Sequence, residues 1–192
     1  AVCRETQSGA ESWALEHDFL TGVIEKIFYK EDTNYGNSFE VIISDGLDMY
    51  QLSFAEDSRF WFDMAKKLPN VNFNEKIKIT AYDFEDKQTH KRRAGISLEQ
   101  NGQKITSYYD HYDEETKTWS ILHGYPNEQI DWKDKDEIKM YMIKIKKFLR
   151  SEFVRLIEPK LEAKQGVKEE QKETENAPVE VPPVAPTDDL PF

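Results

Sequence analysis

The chain has 192 residues, 38% of them hydrophobic and 33% charged, which is room for one ordinary domain and a tail. Its 26 Lys and Arg face 37 Asp and Glu, a net charge of -11, and this excludes a uniformly basic nucleic-acid coat. The lone Cys3 excludes an internal disulfide framework and a cysteine zinc site, and no apolar run approaches the ~20 residues of a membrane span, so a soluble, cytoplasmic protein is expected.

Ala1 to about Asp18 is polar and carries no clear period. Leu20 to Tyr29 then reads as a strand rich in β-branched and aromatic residues, with Gly22 suggesting a bend or bulge. Glu31 to Asn37 is a loop with Tyr35 at its tip. Ser38 to Ser44 alternates with Phe39, Val41 and Ile43 on one face; Asp45-Gly46 turns the chain, and Asp48 to Phe54 returns as the second arm of a hairpin. Asp57 or Ser58 caps a helix in which Phe60, Trp61, Met64, Ala65 and Leu68 recur at helical spacing until Pro69. Lys76 to Phe84 and Arg93 to Glu99 are two further alternating strands, and Asn101-Gly102 is a strong hairpin turn leading into Lys104 to about Tyr112. A second turn at Asp113-Glu114-Glu115 leads to Thr116–Leu122.

Three strands, a helix and two or more strands is the layout of an oligonucleotide-binding (OB) barrel. The fold expected is therefore mainly β with helices: an elaborated, closed five-stranded OB barrel over about residues 18–122, with a helix between its third and fourth strands. Asp134-x-x-Glu137 has the form of a capping box. It opens a long helix over about residues 135–158, ending before Pro159. Ile138, Met142, Ile145, Leu149, Phe153 and Leu156 form its apolar stripe, which must dock on the parent domain or on a second copy. Homo-oligomerisation thus stays open.

Residues 161–187 read as a disordered linker of Lys, Glu, Gln, Pro and Val. The split of charge matters here. Residues 161–192 hold three Lys against eight acids, so the tail accounts for almost half of the negative charge. The tip Asp188-Asp189-Leu190-Pro191-Phe192 places an apolar ring beside a carboxylate and two aspartates on a long polar tether, the makeup of a ligand for another protein's pocket.

This tip resembles the C-terminal tail of the bacterial and phage single-stranded DNA-binding protein (SSB) family. In that family a compact OB domain is followed by a disordered linker and an acidic tip ending in Pro-Phe. The resemblance implies that Asp188, Asp189, Leu190, Pro191 and Phe192 dock replication, recombination and repair proteins, and that the upstream domain protects single-stranded DNA. It implies a bacterial or host cytoplasm. The linker departs from the family's usual Gly- and Gln-rich composition, which suggests a viral relative.

Such a barrel binds bases on the face of its second and third strands and in the loops after strands one and four. The first of these loops offers Tyr35. The fourth strand presents Lys78, Tyr82 and Phe84 outward, and the loop beyond it runs into His90, Lys91, Arg92 and Arg93. Rings accept any base by stacking, and cations neutralise phosphates. The expected nucleic-acid contacts are Tyr35, Lys78, Tyr82, Phe84, Lys91, Arg92 and Arg93. Trp119 is a further stacking candidate, equally suited to a hairpin core.

No catalytic residue, cofactor or metal is expected. The four His have no ligand spacing, and Asp110-His111-Tyr112-Asp113 reads as a charged turn rather than an acid–base or metal site. The rival expectation is a non-enzymatic OB adaptor that binds proteins and uses the tail to capture partners.

Overall fold

The computed structural model describes residues 2–5, 11–14, 18–31, 36–87 and 90–175, with the side chains of 2–5, 11–14 and 167–175 left aside. In chain order the elements are β1 (Val2–Glu5), β2 (Glu11–Ala14), β3 (Leu20–Lys30), β4 (Ser38–Ser44), β5 (Met49–Ala55), α1 (Arg59–Lys67) and β6 (Ile77–Glu85). They continue with β7 (Arg92–Gln100), β8 (Gln103–Lys104), β9 (Asp110–Asp113), β10 (Thr118–Ile121), α2 (Lys135–Glu152) and α3 (Glu158–Glu175). The main sheet is antiparallel with the order β5-β4-β3-β6-β7-β8, and β1–β2 and β9–β10 are separate two-stranded ribbons.

The alternation read in the sequence is the alternation of burial. Phe39, Val41 and Ile43 of β4, Ile77 and Ile79 of β6, and Ile96 and Leu98 of β7 are all buried, as period-two patterning requires of a sheet with one covered face. β3 is the strand that joins the two halves. Leu20 to Gly22 pair with β6, whereas Val23 to Lys30 pair with β4 across a bulge between Ile24 and Lys26. A strand that changes partners through a bulge turns a corner in the sheet. Gly22 sits at that corner, where a Cβ would collide with the Ser44 carbonyl and the Ile43 side chain.

The closed barrel expected from the strand order does not form: the sheet is open, and no ladder joins β5 to β7 among the described residues. Side chains of α1 explain why. Ile96 N donates to Asp63 Oδ2 at 2.7 Å, the Ile96 carbonyl accepts from Lys67 Nζ, and Asp63 and Lys67 pair at 2.6 Å. An i,i+4 pair on a helix thus occupies the donor and acceptor that a closing strand would use. Between β5 and the β6–β7 pair lies an open cavity of about 370 Å³, lined by Phe19, Leu52, Phe54, Ile79, Ala81 and Ile96 among others.

α1 forms as its sequence predicts. Ser58 caps it by accepting from Trp61 N at 3.1 Å, and Trp61, Met64 and Ala65 enter the core, with Leu68 just beyond the helix. Trp61 stacks on Phe39 with ring centroids 3.8 Å apart, and Phe153 meets Phe39 edge-on at 5.4 Å. The apolar stripe of the long helix is therefore docked on its own domain through Ile145, Leu149 and Phe153.

That helix extends further than its sequence suggests. Asp134 caps α2 by accepting from Asp136 N and Glu137 N, while the Glu137 carboxylate reaches back to Asp131 N instead of the cap residue. A wide π turn at Phe153–Ile157 continues α2 into α3 without a break, Glu158 N donating to the Phe153 carbonyl, and Pro159 follows directly after this wide turn. Leu161 is buried, Lys164 Nζ donates to the Ile24 carbonyl at 2.6 Å, and Lys160 Nζ donates to the Pro69 carbonyl at 2.6 Å. Residues 161–164, placed by composition in the linker, belong to the folded domain. The rest of α3 runs to Glu175, and the tip at 188–192 lies outside the described residues. None of the described helices is long and apolar enough to cross a membrane.

The segment expected to pair back across Asn101-Gly102 is mostly not a strand. Gln103 and Lys104 return along β7, and Ile105 N donates once more, to the Leu98 carbonyl at 2.8 Å. The chain then leaves the sheet and forms the β9–β10 ribbon, with Thr118 opposite Asp113 and Trp119 opposite Tyr112.

Candidate nucleic-acid interface

The outward face of β6 and β7 gathers most of the predicted contacts. Register places Lys78 opposite Glu99, Thr80 opposite Ser97, Tyr82 opposite Gly95 and Phe84 opposite Arg93. Residues two apart on a strand share a face, so Lys78, Tyr82 and Phe84 form a row about 20 Å long at ~3.3 Å per residue. Phe84 is 52% exposed, and its centroid lies 6.0 Å from that of Tyr82. Tyr82 is half-buried because Gly95 leaves its ring room to lie across β7. A Cβ on Gly95 would strike both the Tyr82 hydroxyl and Asp63. The Tyr82 hydroxyl points to Asp63 Oδ2 at 3.4 Å, and burial, then the Asp63 charge, raises its pKa.

The basic run divides. Because β7 begins at Arg92, Arg92 and Arg93 fall on opposite faces of the ribbon. Arg93 joins the Phe84 face and holds Asp86 at 3.0 Å. Arg92 turns to the other side, where it grips Asp83 with two hydrogen bonds of 2.7 and 2.5 Å. That contact holds the Asp83 carboxyl below its usual range. The four-residue run is thus not one cluster. His90 Nδ1 lies 3.2 Å from Glu85, and Lys91 is exposed with no ion pair among the described residues. Lys78 sits 3.9 Å from Glu99 and also 4.8 Å over the ring of Phe19. Tyr35 lies outside the described residues.

Phe19, half-exposed at the mouth of the cavity, was not foreseen as a contact. Its position next to Lys78 follows from the Leu20–Ile79 pairing, and no local motif announces a pairing between strands so far apart in the chain. Locally the ribbon is basic although the chain is acidic: residues 76–100 hold six Lys and Arg against four acids. Surface ion pairs of this kind are worth ~0–1 kcal/mol, so phosphates can compete for these cations.

The face of β4 and β5, the usual base-binding surface of an OB barrel, is different in kind. Glu40 is buried there and accepts from Ser38 Oγ at 2.8 Å, Ser53 Oγ at 2.8 Å and Gln51 Nε2 at 3.0 Å. Burial pushes its pKa up, but these three donors outweigh it and hold the carboxyl below its usual range. An ionised carboxylate in the middle of that face does not suit phosphates.

The Asp110–Asp113 cluster is built into the fold. Asp110 pairs with Lys66 at 2.6 Å, and Asp113 caps its own turn by accepting from Glu115 N and Thr116 N at 2.8 and 3.0 Å. Strand alternation sends Asp110 and Tyr112 to one side and His111 and Asp113 to the other. No group of three or more His, Cys, Asp or Glu among the described residues is placed to hold a metal ion.

No protein-family model, no curated protein and no solved structure matches the chain.

Proposed function

We propose that the protein binds single-stranded DNA without sequence preference through the outward face of β6–β7, and that the tip Asp188–Phe192 recruits replication, recombination and repair enzymes. One observation carries the proposal: Phe84 and Tyr82 stand in a row with Lys78 on one face, and Arg93 lies directly across from Phe84. Rings stack on bases of any identity, and adjacent cations meet the phosphates. The strand order supports an OB relationship. Taking β3 to β7 as strands one to five, their spatial order is third, second, first, fourth, fifth, with α1 between the third and fourth. An OB barrel cut open between its third and fifth strands would have this order. The sheet is open, so the proposal rests on the ribbon and not on a closed barrel.

A second reading has its own support. Arg92 and Arg93 each already hold an acid, and the β4–β5 face is centred on Glu40. Both facts favour an adaptor that binds proteins and uses the SSB-like tip to capture partners.

Fluorescence anisotropy with labelled oligo-dT, and with a duplex of equal length, separates the two over a salt series. The DNA-binding reading expects oligo-dT to bind more tightly than duplex, with affinity falling as salt rises. It also expects Arg93→Gln to flatten the salt slope by about one phosphate contact, while Arg92→Gln, on the opposite face, leaves it unchanged. Absence of binding by the full chain at low salt would remove the proposal and leave the adaptor.

A further inference from the structure

We propose that the protein associates head to tail with copies of itself, the β9–β10 ribbon of one copy seating on the outer face of α2 of the next. The association does not rest on the DNA-binding reading.

Two surfaces that nothing else in the fold uses carry this. The first is the ribbon. Trp119 and Tyr112 are directly opposite each other with ring centroids 5.2 Å apart. Trp119 is 65% exposed, and Ile121 and Leu122 beside it are exposed as well. The turn beyond the rings carries Asp113, Glu114 and Glu115, the last two exposed. The ribbon is tied to α1 by the Lys66–Asp110 pair and by Tyr108 N donating to the Lys66 carbonyl at 2.8 Å, and Trp119 and Tyr112 stay exposed. Aromatic rings held in the open on a two-stranded ribbon keep an apolar area in water that burial would remove.

The second surface is the solvent side of α2. Ile145 and Leu149 point inward, and the opposite side presents Met140, 63% exposed, with Ile143 and, two residues past the helix end in the π turn, Val154. At 100° per residue Met140, Ile143 and Lys147 fall on one stripe of α2, with Val154 beyond its end. Lys144 is paired with Glu128 and Arg150 with Glu31. Lys139 and Lys147, in contrast, have no ion pair among the described residues.

The two surfaces complement each other, apolar against apolar and acidic against basic. Within one copy no hydrogen bond, ion pair or ring contact joins them among the described residues. A chain of net charge -11 repels its copies in general, so an acidic patch can meet another copy only where that copy is locally basic. The α2 stripe is such a place. Because the patches are different, the contact is heterologous, and it propagates into a row unless the geometry closes it into a ring. On a DNA strand such a row would place neighbouring copies side by side.

Sedimentation velocity of the full chain over a concentration series at low salt tests this. The sedimentation coefficient is expected to rise with concentration and to fall back when salt is added. Two double variants dissect the contact: Glu114→Lys with Glu115→Lys on the ribbon, and Lys139→Glu with Lys147→Glu on the helix. Each alone is expected to associate at least about tenfold more weakly, because like charges then face each other. Mixed together, the two variants are expected to assemble, since each reversed patch meets a partner of opposite sign. Trp119→Ala is expected to weaken association without touching a charge. A wild-type chain that sediments as a monomer throughout overturns the proposal. So does a mixture that stays monomeric, or a variant that associates alone as strongly as the wild type.

Discussion

Two ribbons of this molecule hold aromatic rings out to solvent, and they differ in the charges set beside those rings. On β6–β7 the neighbours of Phe84 and Tyr82 are Arg93 and Lys78. On β9–β10 the turn joining Tyr112 to Trp119 carries Asp113, Glu114 and Glu115 against Lys117. The ring chemistry is nearly the same, yet the first suits a polyanion and the second repels one. With the rings alike, the formal charges in the neighbouring sequence set which partners each ribbon tolerates. The ribbons also differ in support. β6–β7 is part of the main sheet and is tied to α1 through Asp63 and Lys67, whereas β9–β10 is its own two-stranded sheet, tied to α1 by the Lys66–Asp110 pair.

The largest expected effect comes from breaking that support. Asp63→Ala leaves Ile96 N–H without its acceptor and deprives Lys67 of its ion pair. It is expected to cost about 2–3 kcal/mol of stability in chemical denaturation. Trp119→Ala removes an exposed ring and leaves the Lys66–Asp110 tie of its ribbon to α1 in place, so it is expected to change stability by less than about 0.5 kcal/mol. Equal losses from the two would erase the distinction.

A smaller effect separates the two sets of rings. Phe84→Ala is expected to weaken oligo-dT binding by about 1–2 kcal/mol, while Trp119→Ala leaves it unchanged, both read by anisotropy. The reverse pattern would move the DNA to the acidic ribbon.

The smallest effect concerns one carboxylate on each ribbon. Asp83 is held below its usual range by the Arg92 hydrogen bonds and charge. Asp113 is held low by the backbone N–H groups of Thr116 and Glu115. Both folded-state values are depressed, so the stability each contributes is present above the unfolded value and is lost as pH falls through the folded one. Salt screens a charge partner more than an N–H held in a turn. Carboxyl NMR titration is therefore expected to show the Asp83 value rising with salt more than that of Asp113, and parallel behaviour would contradict the assigned causes.

Local patterning carried much of the fold. Ser58 capping α1, Phe39-Val41-Ile43 alternating in β4, and Asp134 opening α2 are decided by neighbours within a few residues, and all stand where the sequence puts them. The candidate site was legible in part for the same reason. The parity of Lys78, Tyr82 and Phe84 on β6 follows from strand alternation alone. Arg92 and Arg93 were harder. A start of β7 one residue earlier than the pattern suggests converts a basic cluster into two arginines on opposite faces. Phe19 depended on a pairing between β3 and β6, and Glu40 on three donors brought from β4 and β5.

Composition and period, then, were enough to determine a mainly β domain with a capped helix after the third strand of its main sheet, a long amphipathic helix and a low-complexity acidic tail. Tertiary structure alone decided that the sheet stays open, because Asp63 and Lys67 reach the Ile96 peptide across 33 and 29 residues of chain. It alone carried the helix past Pro159, because Lys164 finds the Ile24 carbonyl across 140 residues. Propensity is a property of neighbours in sequence, while a hydrogen bond to a distant carbonyl exists only once both ends have been brought together.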